Sequence, residues 1–262
     1  MSHTAWRQHT AAELSTESLA ALIRNEIPAI RITDFATPDE CAAFSRAVRN
    51  SPDLKAYSVA TPTYYLGLVM YEYRQGGGRK REFFDAVPEA VAAQQKLYSE
   101  SFDAPQRFVD TLGAHFPGTI TMAHEPGYGD YCPVVVRVAS GGVHLHADFA
   151  PFNSPDWATG AVSEQITWNL YTECPAQGGE TTVYNAPWTP AAGEDPARGL
   201  PDRGVEDRDD VESFTFAPHE GEVVLFNPRN PHKIAAGTPG DKGRISIGSF
   251  LGTTGDKLIM WA

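Results

Sequence analysis

Two histidines and a carboxylic acid stand within five residues, His144-Leu145-His146-Ala147-Asp148. They follow the β-branched run Val134-Val135-Val136-Arg137-Val138, which reads as a strand, and a turn at Gly141-Gly142. On an extended chain residues i and i+2 face the same side, so His146 and Asp148 project together. One imidazole and one carboxylate can grip an ion. A second imidazole completes the set that suits a non-haem ferrous ion with positions left open for a co-substrate and oxygen. His232 is the candidate third ligand, 84 residues beyond Asp148 and shortly after the apolar run Val223-Val224-Leu225-Phe226. His144 faces the same side as His146 by the same period and is a rival ligand. A His144–His146 pair, as in cupin metal sites, would leave Asp148 spare, and residue types alone leave both pairings open.

Such a set needs a rigid scaffold, and from Ile120 onward the chain supplies short β-like runs separated by Gly and Pro. They lie at 120–124, 132–138, 164–172, 180–185, 213–217, 221–226 and 244–251. Many short strands with turn signals between them predict a sandwich or jelly roll rather than a parallel α/β sheet. The preceding residues are mostly helical in pattern. Leu19, Leu22 and Ile23 recur at helical spacing before the alternating strand Ala29-Ile30-Arg31-Ile32. Thr37-Pro38-Asp39-Glu40 has the form of a capping box, with Phe44 and Val48 as the inner face of the helix it opens. From Arg81 to about His115 the periodicity is again helical, with Pro88 opening one segment and Phe108, Leu112 and Phe116 marking a second. The expectation is one domain over 1–262: a mostly helical buttress at 1–118 and a β core at 119–262.

Two stretches stand apart. The run Gln75-Gly76-Gly77-Gly78-Arg79-Lys80-Arg81 lacks the strand, helix and Lys-Ser/Thr ending of a phosphate loop and reads as a flexible turn. Residues 186–212 are rich in Pro, Gly and acids without periodicity, which predicts either a lid-like insertion or a disordered segment.

Composition bounds the partners. Apolar residues at 42% and aromatics at 11% suffice for a sizeable core. A formal charge of −12 argues against nucleic acid and anionic membrane surfaces as partners. The first residues have no apolar signal region, and no run of about 18 apolar residues occurs, so a cytoplasmic location is expected. Cys41, Cys132 and Cys174 are too few and too scattered for a disulfide framework or a zinc pattern, and read as reduced thiols.

Taken in order, His146-Ala147-Asp148, Gly178-Gly179-Glu180-Thr181, Gly221-Glu222-Val223-Val224-Leu225-Phe226, His232 and Arg244-Ile245-Ser246 resemble the 2-oxoglutarate and iron(II)-dependent dioxygenases. The resembling part runs from about Tyr131 to Leu251. It implies a double-stranded β-helix (a jelly-roll, cupin-like fold), iron on His146, Asp148 and His232, and 2-oxoglutarate anchored by Arg244, twelve residues past His232. It selects HxD over HxH and leaves His144 to the substrate side. A guanidinium is planar, permanently charged and bidentate toward carboxylate, which suits the distal end of a dicarboxylate, and Ser246 shares its face of the strand. The implied activity is hydroxylation of an unactivated C–H bond of a small-molecule substrate, with oxygen as co-substrate and succinate and carbon dioxide as co-products. Halogenases of this superfamily carry Gly or Ala where the carboxylate ligand would be. Asp148 fills that place, which implies no halogenation.

The N-terminal helices, the Tyr71-Glu72-Tyr73-Arg74 segment and Phe149-Ala150-Pro151-Phe152 after the HxD are similar to the branch that acts on free amino acids, relatives of lysine halogenases and hydroxylases. An amino acid needs a cation for its carboxylate and an acceptor for its ammonium. Arg74 with Glu72 or Glu125 can supply these, and Phe149, Phe152, Trp157 and Trp188 an apolar wall. The alternative class is a cupin-like metal-binding protein or a zinc hydrolase in which zinc polarises water. That class has no use for an arginine at the register of Arg244.

Overall fold

A computed structural model describes residues 5–57, 63–74, 79–194, 205–238 and 243–262. The first part of the chain forms β1 (Ala12–Glu13), α1 (Thr16–Ile23), β2 (Ala29–Ile32), α2 (Pro38–Asn50), β3 (Lys55–Ala56), β4 (Thr63–Gly67), α3 (Tyr71–Arg74), α4 (Lys80–Ser99) and α5 (Ala104–Gly113). Then come β5 (Thr119–Met122), β6 (His124–Glu125), β7 (Gly129–Asp130), β8 (Val135–Ala139), β9 (Val143–His146) and α6 (Ala150–Asn153). The chain ends with β10 (Gln165–Glu173), β11 (Thr181–Tyr184), β12 (Ser213–Phe216), β13 (Val223–Phe226), β14 (His232–Ile234), β15 (Arg244–Thr254) and β16 (Lys257–Trp261).

Among the described residues, a large sheet runs β1-β2-β13-β10-β15-β8-β4-β3, with β16 and β5 joined through β15, and a smaller sheet runs β12-β11-β14-β9. Period-2 burial explains how they stack. Val223, Leu225, Trp168, Leu170, Ile245 and Ile247 pack against helix residues Leu19, Leu22, Phe44, Val48, Phe108 and Leu112. Trp168 lies flat on Phe108, with ring centroids 4.0 Å apart. The alternate residues Tyr171, Val224 and Phe226 turn the other way and pack with Val183 and Phe216 of the smaller sheet. Helices thus cover one face of the large sheet and the small sheet covers the other. Burial on both faces is why β13 reads as an unbroken apolar run.

The capping box at Thr37 forms as the sequence predicts. Thr37 Oγ1 accepts from Glu40 N at 3.2 Å, and the Glu40 carboxylate accepts from Thr37 N at 2.9 Å. Arg107 of α5 also binds that carboxylate, at 2.5 Å and 3.0 Å, so one acid ties the start of α2 to α5. The Arg107 hydrogen bond, foremost, holds Glu40 down to about 2 from its usual 4.5. A depressed carboxylate stabilises the fold above its unfolded pKa, so this contribution is lost as pH falls from about 4.5 toward 2. Thr37→Ala is expected to cost about 1 kcal/mol in chemical denaturation, and a change under about 0.3 kcal/mol would show the cap to be redundant.

Two expectations need correction. Pro88 does not open a helix; it lies inside α4, which runs unbroken from Lys80 to Ser99. A proline there removes one backbone donor, but Phe83 and Phe84 on the turn before it pack against Tyr131 and Trp157, and this tertiary burial holds the first turns in register. The first 118 residues also do more than buttress. β2 pairs with β13 at one side of the large sheet and β4 pairs with β8 at the other. The Gly76-Gly77-Gly78 turn and the middle of the 186–212 segment lie outside the described residues. Of that segment's flanks, Trp188 and Val205 are buried. Among the described residues, no helix is long and apolar enough to cross a membrane, and all three cysteines are free.

Candidate metal centre

Strands β9 and β14 are neighbours, and their register sets His146 directly opposite His232. The imidazole centroids lie 4.1 Å apart. Gly142 permits this pairing, because a Cβ there would sit 2.6 Å from the Ile234 carbonyl oxygen of β14. Asp148, two residues past β9, is held toward the approach to His232 by its N–H, which donates to the Pro228 carbonyl at 2.8 Å. His146 Nε2 stands 3.8 Å from Asp148 Oδ2, and one ligand-capable atom from each of His146, Asp148 and His232 lies within 4.8 Å of the others.

The protonation pattern suits a metal. His146 Nδ1 lies 2.8 Å from the His144 carbonyl oxygen and His232 Nδ1 2.9 Å from that of Asn230. Donation to a carbonyl at Nδ1 leaves each Nε2 as a lone-pair ligand. Burial, followed by the neighbouring His146, pushes the His232 pKa from 6.5 down to about 3, so its imidazole is neutral at physiological pH. Asn230, which presents the orienting carbonyl, is fully buried and bonded through its amide to Asn25 at 2.6 Å. Asn25 continues to Asn185 at 3.0 Å and Asn185 to Glu212 at 2.9 Å. Sequence reasoning missed this chain of amides, which joins residues about 200 positions apart; its one local sign is the Asn-Pro pairs bracketing Arg229.

The large sheet faces this triad with a row of polar side chains. Ile245 and Ile247 pack toward the helices, so Arg244 and Ser246 turn toward the small sheet. Register aligns Tyr171, Ser246, Arg137 and Tyr65 across β10, β15, β8 and β4, with Arg244 one row away opposite Ala139. Arg244 is 6% exposed and its Nε has no hydrogen-bond partner among the described residues; its guanidinium carbon lies 5.9 Å from the Tyr171 ring centroid. An unpaired buried guanidinium is costly unless an anion completes it, which fits a dicarboxylate. Arg137 is a residue of this row that the sequence motifs do not single out. Its one signal there is being the sole charge in a valine run.

The remaining sequence candidates separate. His144 is exposed and stands outside the triad, contributing its carbonyl instead of its ring. Phe149 and Trp188 are buried with Ala147 and packed by Phe152 behind the Asp148 turn. The Arg229 guanidinium lies 4.6 Å over Phe149, and its Nε donates to the Trp188 carbonyl at 2.9 Å. Trp157 belongs to a different cluster, with Phe83, Phe84 and Tyr131, and so does not join that wall. Glu125 accepts from Lys80, Tyr131 and the Ala158 N–H, which removes it as a free acceptor for an ammonium group. Arg74 ends α3, 4.7 Å over Tyr71. The Tyr57 phenol lies edge-on to Tyr65, ring centroids 5.6 Å apart, within electrostatic reach of Arg137, Asp148, Glu72 and Tyr71. Tyr65 donates to Glu72 at 2.9 Å.

The profile of carrier-protein-independent halogenase WelO5 matches residues 8–262. The leucinostatins biosynthesis cluster protein S of Purpureocillium lilacinum is 29% identical, covering 80% of this chain and 90% of that protein. An L-gamma-glutamyl-L-propargylglycine hydroxylase of Streptantibioticus cattleyicolor is 36% identical over 102 residues, covering 38% of this chain and 37% of that protein. Among solved structures, an N-substituted L-amino acid dioxygenase from Burkholderia ambifaria superposes with a TM-score of 0.61 at 19% identity, covering 94% of this chain and 91% of that one. Its complex with alpha-ketoglutarate gives 0.60 at 18% identity, covering 98% and 97%. These structural likenesses speak for the fold, and the profile match over nearly the whole sequence places the chain in the carrier-protein-independent halogenase WelO5 family, among the 2-oxoglutarate- and iron(II)-dependent oxidoreductases.

Proposed function

We propose that the protein is a hydroxylase of a free amino acid or close derivative, built as one double-stranded β-helix domain. In this reading His146, Asp148 and His232 hold iron(II), and Arg244 with Ser246 holds the distal carboxylate of 2-oxoglutarate. Bound iron supplies oxygen activation, coupling 2-oxoglutarate breakdown to succinate and carbon dioxide with oxidation of a substrate C–H bond. The protein's part is to fix the three ligands, orient both imidazoles through the His144 and Asn230 carbonyls, and keep Arg244 dry and unpaired until the dicarboxylate arrives.

One observation carries hydroxylation over halogenation within this family: the Asp148 carboxylate stands with the two imidazoles within 4.8 Å. A carboxylate ligand takes the coordination position that a halide needs. With chloride present, the unmodified protein is expected to give only hydroxylated product, and Asp148→Gly to gain chloride binding. Chlorinated product from the unmodified protein would contradict the assignment. A zinc hydrolase is disfavoured by Arg244, which hydrolysis leaves without a role.

The substrate class rests on the relatives, whose names include an amino acid dioxygenase and a hydroxylase of a γ-glutamyl amino acid, and on the cationic and phenolic side chains between α3 and the triad. The test is a screen of free, N-substituted and γ-glutamyl amino acids for substrate-dependent succinate formation. Failure of the whole panel, with turnover of peptide- or carrier-bound substrates instead, would overturn this part while leaving the metal assignment intact.

A further inference from the structure

Arg137 is a second cation on the inner face of the large sheet. It sits at the centre of the cross-strand row, between Ser246 of β15 and Tyr65 of β4, on the face shared with Val135 and opposite the helix-packed Val134 and Val136. Its guanidinium has no hydrogen bond or ion pair among the described residues, although Glu72 and Asp148 are near enough to act on the same Tyr57 phenol. Asp148 and Arg244 both act electrostatically on Arg137 itself, so it is within reach of the triad's carboxylate and of the second arginine.

Two guanidinium groups without anions on one inner face, Arg244 buried and Arg137 half-buried, are mutually repulsive and costly to hold together. Iron(II), one ligand carboxylate and the two arginines together carry a formal excess of three positive charges. The 2-oxoglutarate dianion removes two of these through one carboxylate at each end. The distal one has Arg244; Arg31, also on the inner face, is paired with Glu222 at 2.9 Å, which leaves Arg137 as the unpaired guanidinium of that face among the described residues. We propose that Arg137 binds a second carboxylate in this site. Its source is either the metal-proximal carboxylate of 2-oxoglutarate or the carboxylate of an amino acid substrate. The second source rests on the reading under Proposed function, and the first does not.

The two sources are separated by two measurements on the iron-loaded protein and its Arg137→Met and Arg137→Lys variants. The first is anaerobic titration with 2-oxoglutarate. The second compares L-amino acids with their carboxamides for substrate-dependent succinate formation. If Arg137 holds 2-oxoglutarate, Arg137→Met weakens the titration at least tenfold and Arg137→Lys recovers part of the loss. If it holds the substrate, 2-oxoglutarate affinity stays within threefold, and the unmodified protein prefers acid over amide by more than tenfold while Arg137→Met does not. Should no amino acid react, the substrate reading fails separately and the titration alone decides. The thermal midpoint of the metal-free protein guards against misfolding, because removal of an unpaired, half-buried charge leaves it unchanged or raised. Unchanged 2-oxoglutarate affinity together with the same acid preference in both proteins overturns the proposal, whether or not the midpoint falls.

Discussion

His232→Ala is expected to abolish iron binding at micromolar iron(II). The substitution removes one of three candidate ligands from a cluster whose atoms lie within 4.8 Å of each other, and among the described residues nothing adjacent replaces it, since His144 is exposed and outside the cluster. Loss of an outer hydrogen-bond partner alone typically costs about 10–100-fold in metal affinity, so loss of a ligand exceeds that range. The check is iron content after equilibration and gel filtration, with turnover alongside. Retention of both would mean that the triad is wrong. The same imidazole has a pH signature in the metal-free protein. Its folded pKa, about 3 against 6.5, is depressed, so the stability it confers is present above about 6.5 and lost as pH falls toward 3. His232→Ala should flatten that part of the pH–stability curve.

Arg244→Ala is expected to raise the 2-oxoglutarate requirement by more than about tenfold. Removing one partner of a buried, hydrogen-bonded charge pair costs on the order of 2–5 kcal/mol, and roughly 1.4 kcal/mol corresponds to a decade. Arg244 is 6% exposed and unpaired at Nε, so among the described residues the charge has no competing partner to which the effect could be transferred. Lysine should restore little, because one ammonium cannot reproduce the planar fork. The apparent KM for 2-oxoglutarate and direct anaerobic titration both read this, and an unchanged value would assign the anchor elsewhere.

Local features were legible in the sequence. The Thr37 capping box, the His146–Asp148 pair and the alternation that turns Arg244 and Ser246 together all follow from three- and two-residue periods, which tertiary contacts did not override. His232 was accessible because an apolar strand precedes it and because of its register with Arg244. Features fixed by distant residues were not legible. Pro88 looked like a helix start because the aromatic packing of Phe83 and Phe84 that holds the preceding turns involves Tyr131 and Trp157. Glu125 looked free because its partner Lys80 lies 45 residues away. β1 and β3 are two residues long, too short for any period. Arg137 became visible only when the register across β4, β8 and β15 set it beside Ser246 and Tyr65.

Whether iron(II) and 2-oxoglutarate meet at His146, Asp148 and His232 is tested most directly by anaerobic addition of 2-oxoglutarate to the ferrous protein, read through the weak visible charge-transfer band of the chelate. The expected result is a saturable band in the unmodified protein, displaced to higher 2-oxoglutarate concentration in Arg244→Ala and absent in His232→Ala. No band from iron-loaded unmodified protein, or the same band from His232→Ala, would contradict it.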